Sequence, residues 1–276
     1  MTAFKRGDAV SAESIPPPDL VTINIGNTHT SATAWTFANE LPETKEWPSD
    51  FRSMATVAKY ASAAKHVVIG SVVKQCTSKL FNDLSTLGCK PQFFRIDIAP
   101  KIEIVPNPPE RVGDDRIAAA LGVLDIDETS PWVVIDAGTA VTCNAIRPAL
   151  GDALPRFEGG LIFPGAAMCL KSLNQGTAQL PELKSAALET SGFDFIGRNT
   201  ESAMLSGVLA MQSETIRSVI EGQRMMLGGH ARIAITGGGA GFLIDALRRS
   251  GGTKYDLVYQ PTLVHRGLCA AWKAAK

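Results

Sequence analysis

Residues 20–30 read Leu20-Val-Thr-Ile-Asn-Ile-Gly-Asn-Thr-His-Thr30, and residues 132–142 read Trp132-Val-Val-Ile-Asp-Ala-Gly-Thr-Ala-Val-Thr142. In each, a short apolar, β-prone run meets a glycine turn, and a second β-prone run follows, at 31–37 in the first copy and 143–146 in the second. Strand, glycine turn, hydroxyl residue and second strand describe a β-hairpin. Its turn exposes backbone N–H groups and hydroxyls, a surface suited to phosphate. Ordinary hairpin chemistry accounts for one such turn as well as phosphate binding does. Two turns, 112 residues apart and each with Thr six positions after Asn24 or Asp136, point to a duplicated domain with a nucleotide between its halves. The copies differ at their first polar position, which is acidic in Asp136 and neutral in Asn24.

Outward from the hairpins, strand-like runs and helical patterns alternate, which indicates α/β architecture. The first half carries a helical pattern at 50–65, a buried strand at 66–73, a helix at 74–87 and short strands at 91–96 and 102–105. A proline-rich turn at 106–109 leads to Gly113-Asp-Asp-Arg116 and an alanine-rich helix at 117–124. In the second half, Gly159-Gly-Leu-Ile-Phe-Pro-Gly165 reads as a strand entering a helix at 166–173. After a polar loop, Gly197-Arg-Asn-Thr200 precedes a long helix to about residue 226, with Thr200 expected as its N-cap. A strand at 231–236 ends in Gly237-Gly-Gly239, then come a helix at 240–249, a strand at 255–259 and a helix at 265–273. The expected division is a disordered extension at 1–18, one half at 19–128 and the other at 129–276.

Within this frame Asp115 is the candidate base, at a helix start beside Arg116, a cation able to hold an anionic substrate. A carboxylate is the expected proton acceptor when an alcohol takes a phosphoryl group from ATP. The competing reading is a first-turn carboxylate that merely complements the helix dipole, and for Asp114 that reading suffices. Asp136 either binds a cation near the phosphates or caps N–H groups of its own turn. His29, His66, His230 and His265 are scattered, and none stands in a metal-ligand pattern.

Composition narrows the classes. The 276 residues carry 27 basic and 27 acidic side chains, net charge zero, without the basic stripe expected for nucleic-acid binding. No apolar run approaches the roughly 20 residues that span a bilayer. The five cysteines, Cys76, Cys89, Cys143, Cys169 and Cys269, have no Cys-x-x-Cys spacing and read as reduced thiols of a cytoplasmic protein.

Six segments in this order, Asn24-x-Gly-Asn-Thr28, Gly113-Asp-Asp-Arg116, Asp136-x-Gly-Thr-Ala-x-Thr142, Gly159-Gly-x-Ile-x-Pro-Gly165, Gly197-Arg-Asn-Thr200 and Thr236-Gly-Gly238, resemble the type III pantothenate kinases from about residue 20 to residue 270. The resemblance implies an actin-like (ribonuclease H-like) fold of two similar halves, each a mixed sheet flanked by helices, with nucleotide in the cleft, in a homodimer. It implies phosphorylation of pantothenate by ATP, the first step towards coenzyme A, with Mg²⁺ and a monovalent cation, K⁺ or NH₄⁺. By motif match Asp115 would accept the proton, and Gly113, Asp114, Asp115, Arg116 and Thr200 would contact pantothenate, Arg116 near its carboxylate. Asn24, Ile25, Gly26, Asn27, Thr28, His29, Thr30 and Ser31 would hold ATP phosphates, Thr139 would contact ATP, and Asp136 would bind the monovalent cation.

Two departures stand out. The family begins its first motif with Asp where this chain has Asn24. One charge interaction at ~4 Å is worth about 1 kcal/mol in water and about 4 kcal/mol at an effective dielectric of 20. Ahead of Gly113 the family has Tyr-Asp-Asn-Pro, where this chain reads Val105-Pro-Asn-Pro-Pro-Glu-Arg-Val-Gly113, with Pro106 at the place of the substrate-contacting Tyr. Two rival expectations therefore remain: a relative that binds nucleotide or pantothenate as a regulator without turnover, and an actin-like kinase for another small alcohol.

Overall fold

The computed structural model describes residues 16–38, 42–184, 186–190, 194–249, 255 and 257–276. Most of the extension expected at 1–18 lies outside the described residues. Within it, the Pro18 carbonyl accepts the Lys65 N–H at 3.0 Å.

The first half opens with β1 (Leu20–Ile25) and β2 (His29–Trp35), followed by β3 (Glu43–Pro48), α1 (Ser53–Ala61), β4 (His66–Ser71), α2 (Lys74–Thr86) and β5 (Gln92–Phe93). They form a sheet of order β3-β2-β1-β4-β5, antiparallel on the β2 side of β1 and parallel on the β4 side. β6 (Glu103–Ile104), a 3₁₀ turn at Pro109–Arg111 and α3 (Asp114–Ile126) come next. The second half runs through β7 (Trp132–Ala137), β8 (Ala140–Arg147), β9 (Arg156–Pro164), α4 (Ala166–Gln175), α5 (Ala186–Thr190), α6 (Thr200–Met226), β10 (Arg232–Thr236), α7 (Ala240–Arg249), β11 (Leu257–Tyr259) and α8 (Leu263–Ala274).

The second sheet has the order β11-β10-β7-β8-β9-β6. Its first five strands repeat the first sheet strand for strand: β7 is antiparallel to β8 and parallel to β10, as β1 is to β2 and β4. The added strand is β6, which precedes α3 in the chain yet pairs parallel with β9. The duplication expected from the two hairpins is therefore one of whole sheets.

Burial explains the layering. β1 and β7 are central strands covered on both faces, and the uninterrupted apolar run Trp132-Val-Val-Ile135 of β7 fits that place. Val21, Ile23 and Ile25 face α1 and α2. Val133, Ile135 and Ala137 face α6 and α7. On the opposite faces, Leu20, Val68, Trp132 and Val134 share one core with α3 and α8, so these two helices form a layer between the sheets. The two helices meet backbone to backbone: a Cβ on Gly267 would stand 1.7 Å from the Ala118 carbonyl oxygen, and one on Gly122 would stand 2.3 Å from that of Leu263.

One expected detail changes. Asn199, rather than Thr200, caps α6: its side chain accepts the Ser202 N–H at 2.8 Å, in a reciprocal capping box with Ser202. Asn and Thr both cap well, and the fold gives the role to the residue that leaves the helix first.

Candidate active site

The two hairpin turns meet. Thr28 Oγ1 and Thr139 Oγ1 lie 2.8 Å apart, so residues separated by 111 positions face each other across the opening between the halves. In the first turn the Gly26 N–H donates to the His29 carbonyl at 3.1 Å, and Asn27, Thr28 and His29 are exposed. The Ser49 N–H donates to the Thr28 carbonyl at 2.9 Å, which ties the turn to the end of β3.

Strand register refines the repeat. Asn24 lies opposite Ser31, and Asp136 opposite Thr142. The first turn holds one more residue than the second, so the counterpart of Thr142 is Ser31 and not Thr30. Because side chains alternate across a strand, that single residue puts Thr30 on the other face. Thr30 is buried and its hydroxyl sits 2.8 Å from Ser49 Oγ. Ile25 is a core side chain, leaving only its backbone for a ligand. Asn24 is half-buried at the cleft end of β1, beside Gly70 of β4.

The second turn is enclosed by glycines. A Cβ on Gly165 would stand 2.4 Å from the Gly138 carbonyl oxygen and 2.6 Å from that of Thr139. Gly237, at φ +91°, would place one 2.5 Å from Asp136 Oδ1, and the Gly239 N–H donates to the Ala137 carbonyl at 2.8 Å. The segments 159–165 and 236–239 thus converge on this turn.

Asp115 lies in the first turn of α3, where its Oδ1 accepts the Arg116 N–H at 2.8 Å. Burial nevertheless raises its pKa above the ordinary carboxylate value, outweighing that hydrogen bond and the Arg116 charge. Asp136 is pushed up to about 7, first by burial and then by repulsion from Asp115. Among the described residues no hydrogen bond or cation offsets it, so it does not cap its own turn. Two poorly compensated carboxylates at one place mark a site that favours a proton or a cation.

Asp114 turns elsewhere. Its carboxylate accepts the Ser71 N–H at 3.3 Å and pairs with Arg95 at 3.5 Å, which fixes the start of α3 against β4. Arg95, at φ 66°, also donates to the carbonyls of Val112 at 2.5 Å and Pro109 at 2.8 Å. Arg116 reaches into the second half, where Nε and Nη2 both donate to Asn144 Oδ1, at 2.8 and 2.5 Å, above the Phe157 ring. Asn144 Nδ2 in turn donates to Thr142 Oγ1 at 3.1 Å. Gly113 is the α3 N-cap residue, and a Cβ there would stand 2.5 Å from Asp115 Oδ1.

Thr200 is not brought together with these groups. It lines a groove of about 1030 Å³ between β9, α4 and α6, with Phe163, Leu173, Met204 and Met211, and none of residues 113–116 borders that groove. Sequence reasoning missed Asn144, Arg95 and the buried His265. For Asn144 a signal existed, since it lies two residues after Thr142 and so on the same strand face.

The family model described as type III pantothenate kinase matches residues 20–222. The chain belongs to the type III pantothenate kinase family. A type III pantothenate kinase of Hyphomonas neptunium is 28% identical over 275 residues, covering 92% of this chain and 98% of that one. One of Rhodopirellula baltica is 36% identical over 173 residues, covering 62% of this chain and 58% of the relative's length. Among solved structures, a chain described as a Baf family transcriptional activator from Campylobacter jejuni has a TM-score of 0.58 at 18% identity, covering 92% of this chain and 98% of that one. A ROK family glucokinase from Streptomyces griseus, solved with glucose and AMPPNP, has a TM-score of 0.53 at 11% identity, covering 93% and 98%. These likenesses give the fold, which is actin-like.

A hard cation, as the sequence resemblance implies, would fit the residues present. Asp136 offers a hard oxygen donor with no internal partner, as such a cation prefers. Among the described residues no group of three or more His, Cys, Asp or Glu side chains assembles a closed metal site, so further ligands would have to come from phosphate, carbonyl or water oxygens.

Proposed function

We propose that this chain transfers the γ-phosphoryl group of ATP to the primary hydroxyl of pantothenate, giving 4'-phosphopantothenate and ADP, the first step of coenzyme A biosynthesis. The observation that carries the reading is the meeting of Asp115, Asp136 and the two hairpin turns at one cleft, in a chain of this family. Asp115 accepts the hydroxyl proton as the new oxygen–phosphorus bond forms and the bond from the γ-phosphorus to the ADP oxygen breaks. Its raised pKa makes it a better acceptor than an ordinary carboxylate. Backbone N–H groups of the turn within residues 24–31 and the exposed Thr28 hydroxyl, together with Thr139, hold the phosphates. Arg116 has two of its five N–H donors committed to Asn144, which leaves three to meet the pantothenate carboxylate. Mg²⁺ on the phosphates and K⁺ or NH₄⁺ at Asp136 would offset charge on the transferred group. Most of the rate enhancement in this reading comes from positioning and electrostatics.

The halves in this proposal are residues 19–128 and 129–276. The active form is a homodimer, supported by exposed Leu161, Ile162 and Met211 near the apolar α4–α6 groove. Thr200 lines that groove, so its part in substrate binding goes through the second copy. Five free thiols favour a reducing, cytoplasmic setting. Asn24 favours one second reading, a regulator that binds ligand without turnover. A coupled assay with pantothenate, ATP and Mg²⁺, with and without K⁺ or NH₄⁺, separates them: turnover supports the kinase, whereas ligand binding without turnover at saturating ATP overturns it. Turnover of another alcohol in preference to pantothenate would keep the fold and replace the substrate.

A further inference from the structure

The duplication pairs α3 with α8, since each is the helix that follows the fifth strand of its sheet repeat and both lie between the sheets. Arg116 is the third residue of α3 and His265 the third residue of α8. Arg116 ties α3 to the second hairpin through Asn144 on β8. His265 makes the corresponding tie to the first hairpin. Its Nε2 is 2.8 Å from Ser31 Oγ on β2, and its Nδ1 is 3.0 Å from Thr22 Oγ1 on β1. Thr22 Oγ1 also receives the Trp35 indole N–H at 2.9 Å. His265 is buried, and burial holds its pKa down at about 4. At neutral pH the ring is therefore uncharged, with one donor and one acceptor nitrogen, and each hydroxyl can supply the complementary role.

The placement of that tie matters more than its strength. Ser31 is the cross-strand partner of Asn24, at the root of the phosphate turn. Leu263 and Gly267, on either side of His265, are the positions where α8 touches the backbone of α3 at Gly122 and Ala118. Contacts that close leave α8 little freedom to slide on the helix that bears Asp115. A side chain on α8 that grips the first hairpin therefore sets that hairpin relative to the base.

We infer that His265 is a positioning residue for ATP: through Ser31 it holds the first hairpin at a fixed place relative to α3, as Arg116 does for the second hairpin. The inference rests on the proposal that the first hairpin holds ATP phosphates. A role in folding alone would lower stability and the active fraction without moving one substrate's KM selectively.

The test uses the full-length protein and reads KM for ATP, KM for pantothenate, kcat and Tm, with the Kd of a non-hydrolysable ATP analogue measured directly. His265→Asn keeps a polar atom near the Nδ1 position and loses the one near Nε2, whereas His265→Gln does the reverse. Losing the Ser31 hydrogen bond is expected to raise KM and Kd for ATP about three- to tenfold in His265→Asn, with His265→Gln and every pantothenate KM staying within about twofold of the parent. Ser31→Ala combined with His265→Asn should be no worse than the more affected single variant, because both remove one shared interaction. Equal nucleotide affinity in His265→Asn and the parent, or additive losses in the double variant, would overturn the inference. Should His265→Asn fail to fold, Ser31→Ala and Ser31→Thr carry the comparison: Ser31→Ala, which loses the hydroxyl that meets Nε2, is expected to raise KM and Kd for ATP about three- to tenfold, and Ser31→Thr, which keeps it, to stay within about twofold, whereas equal ATP affinity in Ser31→Ala and the parent overturns the inference. Thr28→Val at the turn tip distinguishes the two levels. If it weakens ATP binding and the His265 variants do not, this inference alone fails; if it leaves ATP binding unchanged, the phosphate role of the hairpin fails and takes the inference with it.

Discussion

The two hairpins have the same strand pairing and opposite means of support. The second turn is packed by backbone: Gly165, Gly237 and Gly239 press against residues 136–139 so closely that no side chain fits. The first turn is held by hydrogen bonds, through Ser49 at its tip and the His265–Ser31 pair at its root. The second carries the carboxylate whose pKa is driven to about 7, and the first carries a neutral amide at the matching position. A duplicated element has thus diverged into a rigid, charged turn and a more adjustable, uncharged one. That division suits a site where one turn fixes a cation and the other accommodates phosphates.

Removing the charge next to the second turn breaks the comparison most severely. Asp115→Asn is expected to lower kcat by roughly 10²- to 10⁴-fold, the usual range for a lost general base. Tm should be unchanged or higher, because Asp115 is already disfavoured as an anion by burial. With Asp115 as the base its ionised form would be the active one, and because the folded pKa is raised the acid limb of the kcat profile should lie above the ordinary carboxylate range. Near-parental turnover in Asp115→Asn would remove it as the base.

Asp136→Asn makes the second hairpin resemble the first. A charge at this place is worth at most about 4 kcal/mol at an effective dielectric of 20, so activity should fall roughly tenfold to a thousandfold and lose its response to K⁺ or NH₄⁺. Stability should move the other way in cation-free buffer. The folded pKa of about 7 lies above the ordinary aspartate value of 3.8, so the stability Asp136 allows is present below the lower value and lost as pH rises through about 7. The neutral variant escapes that loss. Its Tm should exceed the parent's by several degrees near pH 8 and match it near pH 4, with a ceiling of about 4 kcal/mol. An equal Tm at about pH 8 would show that the carboxylate is better compensated than its surroundings suggest.

The glycine fence gives a milder contrast. Gly165→Ala forces a Cβ to within 2.4 Å of a carbonyl oxygen, whereas Gly26→Ala meets the His29 oxygen at 3.1 Å. Gly165→Ala should therefore cost about 1–3 kcal/mol and reduce activity about tenfold or more, and Gly26→Ala should cost less than about 1 kcal/mol. Thermal melts and ATP titrations of the pair check this; similar losses in both would mean that the two turns are equally rigid.

Much of this was legible in the chain, for local reasons. Both hairpins, the start of α3 and the glycine clusters announce themselves within a few residues. What escaped was non-local or a matter of one residue. β3 has the sequence Glu43-Thr-Lys-Glu-Trp-Pro48 with mostly exposed side chains, so it lacks an apolar pattern and exists because β2 offers an edge. The match of Thr30 to Thr142 failed because the first turn is one residue longer, and a slip of one reverses a strand's faces. β6 joins the sheet of the other half, which no local pattern records. His265 read as a scattered histidine because its partners are 234 and 243 residues away.

Asn24→Asp restores the symmetry that the chain lacks and should have the smallest effect. The new carboxylate would sit half-buried at the end of β1, opposite Ser31 and beside Gly70. Its attraction for Mg²⁺-bound phosphates lies between the aqueous and partly buried limits, about 1 to 4 kcal/mol at ~4 Å, and exposure of the turn places it near the lower one. The Mg²⁺ or ATP concentration needed for half-maximal rate should therefore drop a few-fold, with kcat little changed. Without ligand the added charge has no partner among the described residues, so Tm should fall slightly near neutral pH and recover in acid, the mirror image of Asp136→Asn. If Asn24→Asp titrates with ATP and Mg²⁺ as the parent does, then charge at this position does not separate the hairpins. Their difference would then lie in how each turn is held, which is the part that His265 and Gly165 control.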